Sequence, residues 1–133
     1  MFELAPIGIV QSHLSDPALA PRQGDEGGPE AILVLDEGML EAALDLRRGS
    51  EVFVLTWLHL ARRDVLSVHP RDNPATPLTG VFATRSQDRP NPIGLHRVTI
   101  VAIEGTRVRV RDLEAIDGTP VLDVKPVLRP DGR

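Results

Sequence analysis

Apolar residues fall along this chain mostly in short alternating runs separated by turn-forming clusters. Leu4 to Val10 reads as a first strand with Ile7 and Ile9 on one face, and Ala31 to Leu35 as a short buried strand. Glu37 to Leu46 differs, because its apolar residues at 39, 40, 43, 44 and 46 suit one face of a helix that Gly49 then ends. Glu51 to Leu60 predicts a long strand: Val52, Val54 and Thr56 alternate against Phe53, Leu55, Trp57 and His59. Both faces are apolar at its start, so a helix or a partner should cover the outer one. Val65 to Val68 is a short strand or turn, and His69 to Pro77 a polar loop. Leu95 to Ile103 and Arg107 to Leu113 form a hairpin around Glu104-Gly105-Thr106, whose length suits a bulged turn. Pro120 to Val127 is the last strand and Arg129 to Arg133 a frayed tail. Many short strands with one helix indicate a mainly β barrel or sandwich, here one closed unit over residues 1–133.

Two segments break the alternation. Asp16 to Glu30 is rich in Pro, Gly and acid, and its length exceeds the usual loop range. Thr79 to Leu95, TGVFATRSQDRPNPIGL, opens with strand-favouring Val81, Phe82 and Ala83 and then turns polar. Pro90 and Pro92 lock their own φ and push Arg89 and Asn91 out of the α region, while Gly94 accepts angles closed to other residues. The side chains of Arg85, Ser86, Arg89 and Asn91 are therefore an anion-reading set on a stiff corner that loses little entropy on binding. A rigid turn between strands accounts for the same prolines, so the corner marks a site without saying for what.

Composition narrows the classes. With 41% hydrophobic and 26% charged residues the chain is that of a globular protein, and no apolar run approaches the roughly 20 residues of a membrane span. Its start, MFELAPIGIV, has no basic leader pattern, so the cytoplasm is expected. Zero cysteines remove disulfides, thiolate nucleophiles and Cys-based zinc sites. The four histidines show no metal-binding spacing, so no metal is expected. No Rossmann glycine fingerprint, P-loop or G-x-S-x-G elbow follows any strand. A formal charge of −4 argues against indiscriminate nucleic-acid binding, although Arg107, Arg109 and Arg111 alternate with Val108 and Val110 to make a cationic strand face. That face is either simply solvated or follows an RNA backbone.

The corner, ATRSxxRPNPIGL, and the later DGTPVLDVKP from Asp117 to Pro126 together resemble the signature of the TsaA-like family. The resemblance runs from Ile7-Gly8 to Pro126, nearly the whole chain. It implies a small closed β-barrel of about seven or more strands with one short helix. The implied activity is S-adenosylmethionine-dependent methyl transfer to N6 of threonylcarbamoyladenosine-37 of tRNA, by a homodimer whose cofactor site involves both subunits. Carried onto this chain, the family's cofactor contacts fall on Pro21, Arg22 and Gln23 of the long loop, on His59 and Leu60, and on Glu114, Ala115, Ile116 and Asp117. Carboxylates suit a sulfonium cation because opposite charge is felt strongly in a low-dielectric cleft. Leu60 replaces a glutamine usual in the family, and Val127 a tyrosine.

The expected reaction is in-line displacement at the sulfonium methyl by a nitrogen, with a base to assist a conjugated lone pair. Asp117, His59 and Asp123 are the candidate bases, with Asp117 placed first. Arg85 is assigned to a carboxylate of cofactor or substrate and Leu95 to an apolar wall; Arg89, Asn91 and Lys125 are expected to face the substrate. Two other readings share these residues: the same fold methylating a small molecule, and a non-catalytic barrel that binds S-adenosylmethionine or RNA.

Overall fold

Alternation along the strands decides which residues meet inside. The computed structural model describes residues 2–13 and 29–129. Its strands are β1 (Gly8–Gln11), β2 (Glu30–Leu35), β3 (Glu51–Trp57), β4 (Ser67–Val68), β5 (Thr79–Gly80), β6 (Ile93–Glu104), β7 (Arg107–Arg111) and β8 (Pro120–Pro126). Six of them are hydrogen-bonded in the closed order β1-β2-β7-β6-β3-β8, every pairing antiparallel, and β4 and β5 pair apart from the ring. The ring therefore has six strands rather than seven. Inward positions are small: Val10, Ala31, Val52, Val54, Val98, Val108, Val110 and Val121 surround Leu33, Ile100 and Leu113. None of these is aromatic, as expected where even eight strands leave an interior only just wide enough for side chains to fill.

The helix is much shorter than its apolar spacing implied. A 3-10 turn at Glu37–Met39 leads into a single α turn, α1 (Leu40–Ala43), with no side-chain cap at its start. Met39, Ala43 and Leu46 touch the core at helical spacing, whereas Leu40 and Leu44 face solvent. Three contacts bury too little to sustain a longer helix.

Other boundaries also move. The first strand starts at Gly8, and its inward residues are Gly8 and Val10; Ile9 points outward while Ile7 packs on the core. β3 stops at Trp57 because Leu58 N–H donates to Pro92 O (2.8 Å) and Ala61 N–H to Leu58 O (2.9 Å), which turns the chain away from the ring. His59 and Leu60 thus lie in a turn. Val81–Ala83 is a 3-10 turn, not a strand. The β6–β7 hairpin closes over Gly105-Thr106, and its irregularity lies between Ile100 and Ala102 rather than in the turn.

On β8 a register shift against Leu55/Thr56 pairs Leu55 with Asp123 and Thr56 with Val121. Leu122 is the residue left over, so it is Val121 and Val124 that reach the core. Asp123 and Lys125 do share the outer face, as an ion pair of 2.9 Å. On the outside of β3, Phe53 lies between Arg97 and Lys125, Leu55 between Leu95 and Asp123, and Trp57 beside Ile93. Arg107, Arg109 and Arg111 face outward as expected, Arg109 near Glu30 (3.5 Å) and Arg111 near Asp112 (3.8 Å).

Candidate functional site

The proline corner is built by side chains that capture main-chain groups. Thr84 Oγ1 donates to Val81 O (2.9 Å) and accepts from Ser86 N–H (3.1 Å). Arg89 turns its guanidinium back to donate to Thr84 O (2.8 Å) and to Val81 O. These bonds compete with a strand ladder and explain why Val81-Phe82-Ala83 coils. Arg89 is thereby committed to the corner, although substrate was expected there. Asn91 Oδ1 likewise accepts from Arg63 Nη2 (2.8 Å).

Residues 58–64 lie along this corner. Arg62 N–H donates to Asp88 Oδ1 (2.8 Å) and Arg89 N–H to Arg62 O (3.0 Å). Arg63 adds a bond from Nε to Pro90 O (2.7 Å), and its guanidinium lies 5.1 Å from the centre of the Trp57 ring. Beneath them, inside the ring, His96 Nε2 is 2.8 Å from the fully buried Thr56 hydroxyl. Burial pushes the His96 pKa down to about 4, so the ring is neutral at neutral pH. Gly94 makes room for this pair: a Cβ there would sit 2.4 Å from Thr56 Oγ1 and 2.7 Å from His96 Nε2. No motif marks His96 in the sequence, though its spacing from Gly94 and Val98 places it on the inward set.

The acidic bend is a tight turn over Ile116–Thr119. Ile116 O accepts from Thr119 N–H (3.2 Å) and Thr119 Oγ1 (2.7 Å), and Gly118 takes the left-handed φ of +86° that such a turn requires. The Asp117 carboxylate does not fold back on its own turn. Instead its Oδ1 accepts from Ser12 N–H (2.9 Å), extending the contact between β1 and the start of β8.

Between corner and bend lies a cleft of about 240 Å³, lined by residues 58–61 and 87–88 and by Glu114, Ala115, Ile116 and Thr119. Five of the expected cofactor contacts meet here: His59, Leu60, Glu114, Ala115 and Ile116. Gln87 and Asp88, the two unspecified positions in the corner motif, were missed, as were Leu58, Ala61 and Thr119, which flank residues that had been singled out. The remaining expectations lie outside the lining. Arg85 is exposed on the corner, Leu95 lies on the outer face of β6, Asp117 is tied to Ser12, and Asp123 and Lys125 are paired on β8. Pro21, Arg22 and Gln23 lie outside the described residues. Among the described residues no three His, Cys, Asp or Glu side chains gather as a metal site, and no helix is long and apolar enough to cross a membrane.

Leucine, alanine and isoleucine beside two carboxylates suit a molecule that is part apolar and part cation. The volume lies below the roughly 300–1,000 Å³ of common small-molecule pockets, so the cleft encloses only part of such a ligand.

Comparison with known proteins points the same way. The profile of the tRNA-methyltransferase O N-terminal domain matches residues 9–130. A "Probable S-adenosyl-L-methionine-binding protein" of Methanothermobacter thermautotrophicus is 42% identical over 92% of this chain and 88% of its own length. An S-adenosyl-L-methionine-binding protein of Archaeoglobus fulgidus is 39% identical over 92% of this chain and 86% of its own. The crystal structure of TrmO from Pseudomonas aeruginosa superposes with a TM-score of 0.77 at 30% identity, covering 100% of this chain. The chain spans 61% of that longer protein.

Proposed function

Since the chain belongs to the tRNA-methyltransferase O N-terminal domain family, we propose that its cleft binds S-adenosyl-L-methionine for methyl transfer to a nitrogen. The acceptor in this reading is N6 of threonylcarbamoyladenosine-37 of tRNA, in the cytoplasm. The observation that carries it is the meeting of the proline corner and the acidic bend around one cleft with both apolar walls and carboxylates. Bound there, the cofactor supplies a methyl group activated by its sulfonium sulfur. Leu58, Leu60 and Ile116 would hold the apolar body, and the Ala115 and Ile116 main chain would offer hydrogen bonds to the adenine. Glu114 and Asp88 attract positive charge, an interaction strengthened where water is excluded. Of the three candidate bases, His59 alone lines the cleft, so it is the one assigned to take the proton the nitrogen sheds. Asp117 and Asp123 have structural partners instead.

A homodimer supplies what one cleft lacks. The outer face of β3 and β6 carries half-buried Phe53, Leu55 and Trp57 beside exposed Ile93 and Leu95. A second copy seated near this face brings Arg85, Leu95 and Lys125 to its neighbour's cleft. The Arg107, Arg109 and Arg111 stripe then tracks the RNA backbone. Neutralising those arginines should flatten the salt dependence of tRNA binding, and an unchanged slope removes them from the interface.

A second reading, a small-molecule acceptor, is favoured by the net charge of −4 and by Leu60 and Val127 at positions usually polar in the family. Calorimetry with S-adenosylmethionine tests the shared core: micromolar binding that weakens in Glu114→Gln supports it, and no heat refutes it. Transfer of labelled methyl to bulk tRNA, abolished in His59→Ala, selects tRNA. Transfer only to a metabolite extract selects the small molecule, and binding without transfer to either leaves a binding barrel.

A further inference from the structure

The cleft wall formed by residues 58–61 and 87–88 lies outside the ring's ladders, since β3 has ended at Trp57 and β6 begins only at Ile93. Three single hydrogen bonds tie its two segments: Leu58 N–H to Pro92 O, Arg62 N–H to Asp88 Oδ1, and Arg89 N–H to Arg62 O. A single bond leaves both partners free to pivot about it. Arg63 is different in kind. Its Nε and Nη2 reach two successive residues of the corner, Pro90 O and Asn91 Oδ1, while its plane lies over Trp57 at the end of β3. A planar fork on two acceptors fixes orientation as well as distance, and stacking adds a third point. The acceptors are themselves held by Pro90 and Pro92, so little freedom remains to be lost when the fork engages.

We propose that Arg63, which lines no part of the cleft, is a positioning residue that holds residues 58–62 against the proline corner and so presets the wall that receives the cofactor. The chain carries its own control. Arg62 is next in sequence and of equal charge, but its side chain is forked onto exposed Asp64 (3.0 Å) and meets Asp88 through charge without a hydrogen bond, while its main chain makes the contacts to Asp88 and Arg89. Removing the Arg62 side chain therefore takes away the same charge without touching the clamp.

The inference builds on the cofactor reading, and two measurements separate them. The first needs no ligand: hydrogen exchange of the Leu58, Arg62 and Arg89 amides in the full chain. Arg63→Ala should lower their protection by about tenfold while the β2 and β7 amides keep theirs, and Arg62→Ala should leave all of them unchanged. Unchanged protection in Arg63→Ala, or an equal loss in Arg62→Ala, overturns the clamp. The second is calorimetry with S-adenosylmethionine. Arg63→Ala should weaken binding by about tenfold and Arg62→Ala by less than about twofold. Arg63→Lys keeps the cation but cannot fork, and should rescue little of the loss. Full rescue by lysine, or donor affinity indifferent to Arg63, refutes the positioning role. Absence of donor binding by the wild-type chain sinks the cofactor reading alone, and the exchange result still decides the clamp.

Discussion

Acidification should loosen this barrel through one interior histidine. His96 lies on the inward side of β6 with Gly94 and Val98, against the hydroxyl of a threonine that has no exposed surface. Burial lowers its pKa from 6.5 to about 4. Above pH 6.5 the imidazole is neutral whether the chain is folded or not, so folding takes up no proton and the pair's full contribution is present. Between pH 6.5 and 4 the unfolded chain binds a proton that the folded one refuses, so stability falls as pH falls. The shift is worth about 3 kcal/mol in total, of which about 2 kcal/mol is lost between pH 7 and 5. The assay is urea unfolding across that range for the wild type and for His96→Gln, which does not titrate. Carboxylates and the other histidines contribute alike to both curves and cancel in the difference. That difference should decline by about 2 kcal/mol on acidification. Parallel curves would show that water or a rearranged ring reaches His96 freely, and the reasoning from burial would be wrong.

Gly94→Ala forces a methyl to within 2.4 Å of Thr56 Oγ1, and thermal or urea unfolding should show a loss of about 1–3 kcal/mol. Arg89→Ala takes the guanidinium donor from Thr84 O and from Val81 O, the latter keeping Thr84 as a donor; it should cost about 1–3 kcal/mol in urea unfolding and weaken donor binding by loosening the Asp88 side of the cleft. Asp117→Ala removes the acceptor of Ser12 N–H. It should cost only about 1 kcal/mol, because the bond is exposed, and should change donor affinity more than kcat in a methyl-transfer assay.

Local chemistry was legible in the residue order because it depends on neighbours only. Period-two alternation set Val52, Val54 and Thr56 on one face of their strand, and Val108 and Val110 on the apolar face of theirs, whatever strands they would meet. Two prolines and a glycine marked the corner through backbone angles that those residues impose or tolerate. Where local signals competed with distant partners they misled. Val81 to Ala83 looked like strand until Arg89 and Thr84 claimed its carbonyls. Strict alternation along β8 breaks at Leu122, where the ring absorbs an extra residue against β3.

The number and order of strands around the ring are what only the tertiary structure decided. It brings the turn after β3, the corner before β6 and the bend before β8 around one cleft, though some 60 residues of chain separate the first from the last. It also joins Asp117 to Ser12 across 105 positions. Such contacts depend on which strands pair, and alternation says only which face of each strand is apolar. The chemical inventory was therefore readable from sequence. Which members of it face one another was set by the order of strands around the barrel.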